Sequence, residues 1–137
     1  MITVLLLALA LIGTNSSQQQ STPQPVVHSV CALLKQSDLY EGKEIDVESV
    51  LVANLHAAVL VGKPCGKNIY ISHEAGQTGG KWHQLDEAIV TKASGLESRE
   101  VKVRIRGIFH SKVPYGKTTI RQIEVTEVLD ISFLPKS

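Results

Sequence analysis

The sequence predicts a mainly β fold with one principal helix, on three observations. Apolar and polar residues alternate with period two around residues 44–48, 68–72, 101–106 and 122–126. Between the stretches at 68–72 and 101–106 the period changes to three and four, over Trp82, Leu85, Ile89 and Ala93. Clusters of glycine, proline and small polar residues separate the stretches. Successive strand residues point to opposite faces, whereas a helix returns to one face every third or fourth residue. The two patterns therefore name two kinds of element.

Taken in order, Ser29 is placed to cap a short helix that puts Val30, Leu33 and Leu34 on one face. Residues 37–43 read as a turn, with Gly42 free to take positive φ. Ile45 and Val47 alternate with Glu44, Asp46 and Glu48, which predicts a strand with one wet face. The alternation slips at Ser49 and Val50, and a bulge is one explanation. Asn54, Leu55 and His56 form a bend before the continuous apolar run Ala57 to Val61, a second strand. Residues 62–66 turn the chain into a third strand, Asn68 to Ser72, with Ile69 and Ile71 on one face. Glycines 76, 79 and 80 lead into the helix, and Gly95 closes it. Val101, Val103 and Ile105 then alternate with Lys102, Arg104 and Arg106. Gly107 marks a point where that strand coils or bulges. Val113 to Gly116 reads as a turn, and Ile123 and Val125 belong to the last strand.

The order is strand, strand, strand, helix, strand, strand, behind a short N-terminal helix. That is the order of the OB-fold, a five-stranded barrel with its helix across one end. The prediction is an OB-fold-like domain over residues 29–134. An open α+β sheet of the same order is the alternative, since alternation does not encode closure.

Ahead of the domain, Val4 to Ile12 is an uncharged apolar run followed by the small polar stretch 13–17. This is the build of a cleaved secretory signal peptide over residues 1–17. The run is far short of the roughly 20 residues that span a bilayer. Its only positive charge before Val4 is the α-amino group, so a true start codon further upstream is an open possibility. An uncleaved N-terminal anchor is the competing interpretation. Residues 18–28, polar and proline-bearing, read as a flexible linker. The expected address is periplasmic or secreted. In an oxidising compartment the only two cysteines, Cys31 and Cys65, are expected to form a structural disulfide. Neither lies in a C-x-x-C, and no histidine stands at finger-like spacing from either.

Composition narrows function by exclusion. A formal net charge of +1 gives no bulk attraction to nucleic acid or anionic membrane, and neither is expected as a partner. Aromatics at 4% argue against stacking several bases or sugars. No G-x-S-x-G is present, and His28, His56, His73, His83 and His110 form neither H-x-x-x-H nor H-E-x-x-H. No catalytic set, metal or other cofactor is therefore expected. A nuclease using Arg104 and Arg121 would also need an acidic metal cluster, which the sequence does not place.

Two basic features remain as ligand-binding candidates. One is the turn from His110 to Lys117, where Lys112 and Lys117 are suited to an anion and Tyr115 to a ring. The other is the stripe Lys102, Arg104 and Arg106, with Arg121 on the neighbouring strand and His56 in the first hairpin turn. The competing expectation for the stripe is pairing with Glu44, Asp46 and Glu48 if the two strands are neighbours. Trp82 reads as the core anchor of the helix.

Residues 29–34 (Ser-Val-Cys-Ala-Leu-Leu), residues 39–47 (Leu-Tyr-Glu-Gly-Lys-Glu-Ile-Asp-Val) and Cys65 resemble a family of uncharacterised secreted bacterial OB-fold-like domains. The shared pattern is a cysteine-bearing helix, a Tyr-x-Gly-Lys turn and a first strand. Arg106-Gly107-Ile108-Phe109 is similar to the fourth strand of such domains. The first strand there usually ends in glycine, where this chain has Ser49. The resemblance covers about residues 29–130 and implies a fold without an activity. The expected function is a non-enzymatic binding or accessory module for an anionic small molecule, glycan or peptide. The alternative is a structural or stress-related envelope protein acting through protein contacts, with a hydrolase or nuclease last.

Overall fold

A computed structural model describes residues 26–74, 76–96 and 99–135. The signal peptide expected over residues 1–17 and most of the linker expected over 18–28 lie outside them. In chain order the elements are β1 (Val27–His28), α1 (Val30–Lys35), α2 (Ser37–Tyr40), β2 (Glu44–Ala53) and β3 (Ala58–Gly62). A 3-10 turn (Lys63–Cys65), β4 (Lys67–Ser72), α3 (Gly80–Ala93), β5 (Val101–Tyr115) and β6 (Thr118–Phe133) follow. Hydrogen-bonded neighbours run β1-β2-β3-β4-β6-β5, and β5 pairs back onto β2, so a mixed six-strand sheet closes into a ring. Within the ring only β4 and β6 run parallel; β1 lies parallel to β2.

Alternation explains the core. Ile45, Val47 and Leu51 of β2, Leu60 of β3, Ile69 of β4, Val101, Val103, Ile105 and Phe109 of β5, and Ile123 and Val125 of β6 are all buried. Each fully buried side chain of this size stabilises the fold by about 1.5–3 kcal/mol. α3 presses Leu85 and Ala88 into the same cluster, with Trp82 and Ile89 half-buried beside them. α1 adds Val30 and Leu33. The Cys31–Cys65 disulfide ties α1 to the turn that starts β4, with the Cα atoms 5.9 Å apart, while α3 follows the other end of β4. The Ser29 hydroxyl accepts from the Ala32 amide at 3.2 Å, the expected cap.

Four local departures have physical reasons. The linker expected through His28 gives way at Val27, because β1 pairs Val27 with Asp46 and His28 with Val47. Residues 37–40 form one helical turn rather than a loop, and Tyr40 packs edge-on against His28 at 4.7 Å. No bulge interrupts β2 at Ser49: its register with β5 runs unbroken from Glu44–Ile108 to Leu51–Val101. Ser49 occupies an inward slot between Val47 and Leu51, and its hydroxyl donates to the Val61 carbonyl at 2.7 Å. A satisfied polar side chain there breaks the apolar pattern without breaking the strand. Finally, Val113–Tyr115 continue β5 instead of turning; the turn is Gly116–Lys117, with Gly116 at φ +59°. The β5–β6 register does shift between Arg106 and Gly107, but the extra residue, Thr126, is in β6 and not in the strand that holds Gly107.

Candidate functional site

Strand β5 carries most of the candidate residues, and its two halves have different surroundings. Residues 101–108 pair with β2 on one side and β6 on the other. Beyond Phe109, whose amide donates to the Lys43 carbonyl at 3.0 Å, β5 pairs with β6 alone. The hairpin therefore runs past the ring as a two-stranded arm. Lys112, Pro114–Thr119 and Arg121 on it are exposed.

The basic stripe lies on the ring half, and the register accounts for its charge. Arg106 stands opposite Asp46 and Arg104 opposite Glu48. The Arg106 guanidinium donates to both Asp46 oxygens, at 2.7 and 3.1 Å, and to Glu127 at 3.1 Å. Asp46 is only 5% exposed, so this two-pronged pair neutralises a buried carboxylate. Its hydrogen bond to Asp46 raises the Arg106 pKa further above the ordinary arginine range. Lys102 and Arg104 both reach Glu48, at 2.8 and 3.3 Å. The stripe is thus an ion-paired cross-strand ladder.

Two carboxylates on this surface have pKa values below the usual glutamate range. The Lys102 hydrogen bond, reinforced by the charges of Lys102 and Arg104, lowers that of Glu48. The Ser111 hydrogen bonds, with a smaller contribution from His110, lower that of Glu41. A carboxyl whose pKa is depressed by folding stabilises the native state above its unfolded pKa and loses that contribution as pH falls. Stability is accordingly expected to decline from about pH 5 downward. The double variant Glu41→Gln/Glu48→Gln is expected to show a shallower decline in urea titrations between neutral and acidic pH. An unchanged slope refutes the assignment.

The arm differs. Among the described residues, Lys112, Lys117 and Arg121 have no carboxylate within 4.0 Å. Tyr115, 50% exposed, leans on Tyr70 of β4, ring centroids 5.9 Å apart and tilted by 35°. Tyr70 escaped the sequence reading. Its outward direction was available from Ile69 and Ile71, but its meeting with the arm depends on the parallel β4–β6 register, which places it beside Gln122. At the arm's base, His110 sits between Glu41 and Glu124, at 3.7 and 3.6 Å.

His56 is not brought to the arm. β2 runs from beside Phe109 to the bend that holds His56, so the whole strand separates them. The Asn54 side chain shapes that bend, accepting from the amides of His56 and Ala57 at 2.8 and 2.9 Å. His73 pairs with Asp86 at 3.2 Å and stacks obliquely on Trp82; His83 lies 3.4 Å from Glu87. Among the described residues no three His, Cys, Asp or Glu side chains converge as a metal would need. Three cavities among the described residues lie away from the arm, one of them of about 440 Å³ at Glu74, Gly76, Gln77 and Thr78. Another of about 600 Å³ is bounded by His83, Glu87, Val90 and Phe133, and one of about 240 Å³ lies beside the disulfide at Val50, Val61 and Pro64. Among the described residues no helix is long and apolar enough to cross a membrane. Compared with family models, curated proteins and solved structures, the chain gives no match.

Proposed function

We propose that the protein is an exported OB-type binding module that takes an anionic ligand on the β5–β6 arm. One observation carries the site. Among the described residues, Lys102, Arg104 and Arg106 of the ring half are spent on carboxylates, while Lys112, Lys117 and Arg121 have no carboxylate within 4.0 Å. Tyr115, on the same hairpin, leans on Tyr70 and adds an apolar surface. The OB-type reading is supported by five strands, β2 to β6, in the ring order β2-β3-β4-β6-β5 with α3 between β4 and β5. The resemblance of residues 29–47 to secreted domains agrees with it. Export is supported by the disulfide and by the apolar run at Val4–Ile12.

The test is titration with a sulfated oligosaccharide at low salt. The triple variant Lys112→Ala/Lys117→Ala/Arg121→Ala is expected to bind at least about tenfold more weakly, the sum of three exposed charge contacts. Lys102→Ala, whose cation is already paired, is expected to leave affinity within about twofold. Equal binding by the triple variant overturns the site.

A second reading, action through protein contacts, is favoured by the exposure of Val90, Leu96 and Phe133 at 67%, 84% and 46%.

A further inference from the structure

We infer that the outer sheet face around Tyr70 is a seat for a neutral sugar unit. Alternation fixes which side chains share that face. Leu60, Ile69 and Ile123 are fully buried, so their neighbours Val59, Tyr70 and Gln122 point outward. The register sets these three in one row, Val59 beside Tyr70 and Tyr70 beside Gln122. Asn68 precedes Tyr70 by two residues on β4 and stands on the same side. Tyr115 reaches the row from the arm, its ring 5.9 Å from that of Tyr70 and tilted by 35°. Strand geometry makes the patch about 10 Å across the row and about 7 Å from Tyr70 to Asn68. Asn68 and Tyr115 are exposed, and Val59, Tyr70 and Gln122 are half-buried, so the patch is open to a ligand.

The chemistry of the patch selects the occupant. A sugar ring has C–H faces and a rim of hydroxyls, and the electron-rich face of a tyrosine attracts such C–H groups. Among the described residues, the Tyr70 and Tyr115 hydroxyls and the Asn68 and Gln122 amides make no hydrogen bond inside the protein. The Asn54 side chain, by contrast, is spent on its own turn. Phenols and amides both donate and accept, as sugar hydroxyls do. None of the five patch side chains is charged. His110, which follows Gln122 in the row, is held between Glu41 and Glu124. Arg121 falls on the side of β6 opposite Gln122 by alternation. A phosphate or carboxylate finds no counter-charge here, whereas a neutral sugar needs none. Two rings serve one sugar unit, which fits a chain with few aromatics. The inference goes beyond the anion reading and does not use the arm's cations.

Titration of the disulfide-bonded protein with cellotetraose, chitotetraose and maltotetraose, followed by amide NMR shifts, tests this. At least one of the three is expected to bind with a dissociation constant of about 1 mM or tighter. It is expected to move the amides of Asn68, Tyr70, Tyr115 and Gln122. Tyr115→Ala is expected to weaken that sugar at least about tenfold, whereas Tyr115→Phe keeps the ring and stays within about threefold. Asn68→Ala, at an exposed position, is expected to weaken it about threefold or more. The amide spectrum of each variant away from the patch checks its fold. Raising salt is expected to leave the affinity within about twofold, because no ion pair forms. No binding by any of the three at about 10 mM overturns the inference. So do shifts confined to residues outside the patch, or a loss on Tyr115→Phe as large as on Tyr115→Ala. The two readings fail separately. Salt-sensitive binding of the sulfated oligosaccharide alone removes the sugar seat and keeps the anion site. Salt-indifferent binding of a neutral sugar keeps the seat whatever the arm's cations do.

Discussion

Gly107→Ala is expected to destabilise the protein by about 3 kcal/mol or more, at the upper end of what overpacking costs. Gly107 is an inward-facing residue of β5, paired with Ile45 on one side and Val125 on the other. A methyl group there meets the Glu124 carbonyl oxygen at less than contact distance and lies 2.6 Å from Ile123 Cγ2. The carbonyl is backbone inside a paired strand, so it cannot step aside as a flexible side chain does. The φ of Gly107 is not positive, so the objection is steric. Gly116→Ala is the control. Gly116 has φ +59° with nothing within 4 Å of an added methyl, so only conformational strain of about 1–2 kcal/mol applies. Urea denaturation of the two variants decides. Equal losses mean that the close approach of β5 and β6 is not what selects glycine. Shortening Ile123 in the Gly107→Ala background is expected to give little rescue, since the carbonyl remains.

Much of the ring was legible because burial writes itself as period two. Val101, Val103 and Ile105 pointed inward as the alternation demanded, and the change of period at Trp82 marked α3. Gly107 was legible as an interruption, though its reason, the carbonyl of Glu124 seventeen residues on, was not. The stripe Lys102–Arg104–Arg106 shows the limit. Its residues and its face followed from the sequence, yet its chemistry turns on which strand lies alongside, and only the β2–β5 register makes it a paired ladder. Ser49 misled for a related reason: a hydroxyl satisfied by a distant carbonyl looks, in one dimension, like a break in the pattern. β1 was missed because two residues give no period at all. Tyr115 was visible as a candidate and Tyr70 was not, because their meeting depended on a parallel pairing with no local signature. Long-range pairing is the common element in what was hidden.

Removing the cross-link is expected to cost about 4 kcal/mol, the chain-entropy value for a loop of 34 residues. For a domain whose total stability is about 5–15 kcal/mol, that is a large share of the whole. The loop closed by Cys31 and Cys65 contains most of α1 and all of α2, β2 and β3, so without it the unfolded chain regains the freedom of about a third of the domain. The folded state loses the tether that holds Val30 and Leu33 over their end of the core. Gly62 shows how closely the site is built around the bond: a methyl on Gly62 lies 2.7 and 2.8 Å from the two sulfurs. Cys31→Ala/Cys65→Ala is therefore expected to melt well below the oxidised protein, with amide exchange rising first in α1. Gly62→Ala is expected to destabilise the oxidised protein more than it destabilises the double variant, where both sulfurs are gone. That difference is a double-mutant cycle whose sign is set by the clash alone. Reduced and oxidised proteins that melt together, with Gly62→Ala equally harmful in both backgrounds, would show that α1 is held by packing and that the sulfurs are incidental to stability. A lower melting temperature confined to the reduced chain would instead tie the fold to an oxidising compartment through the helix that closes its end.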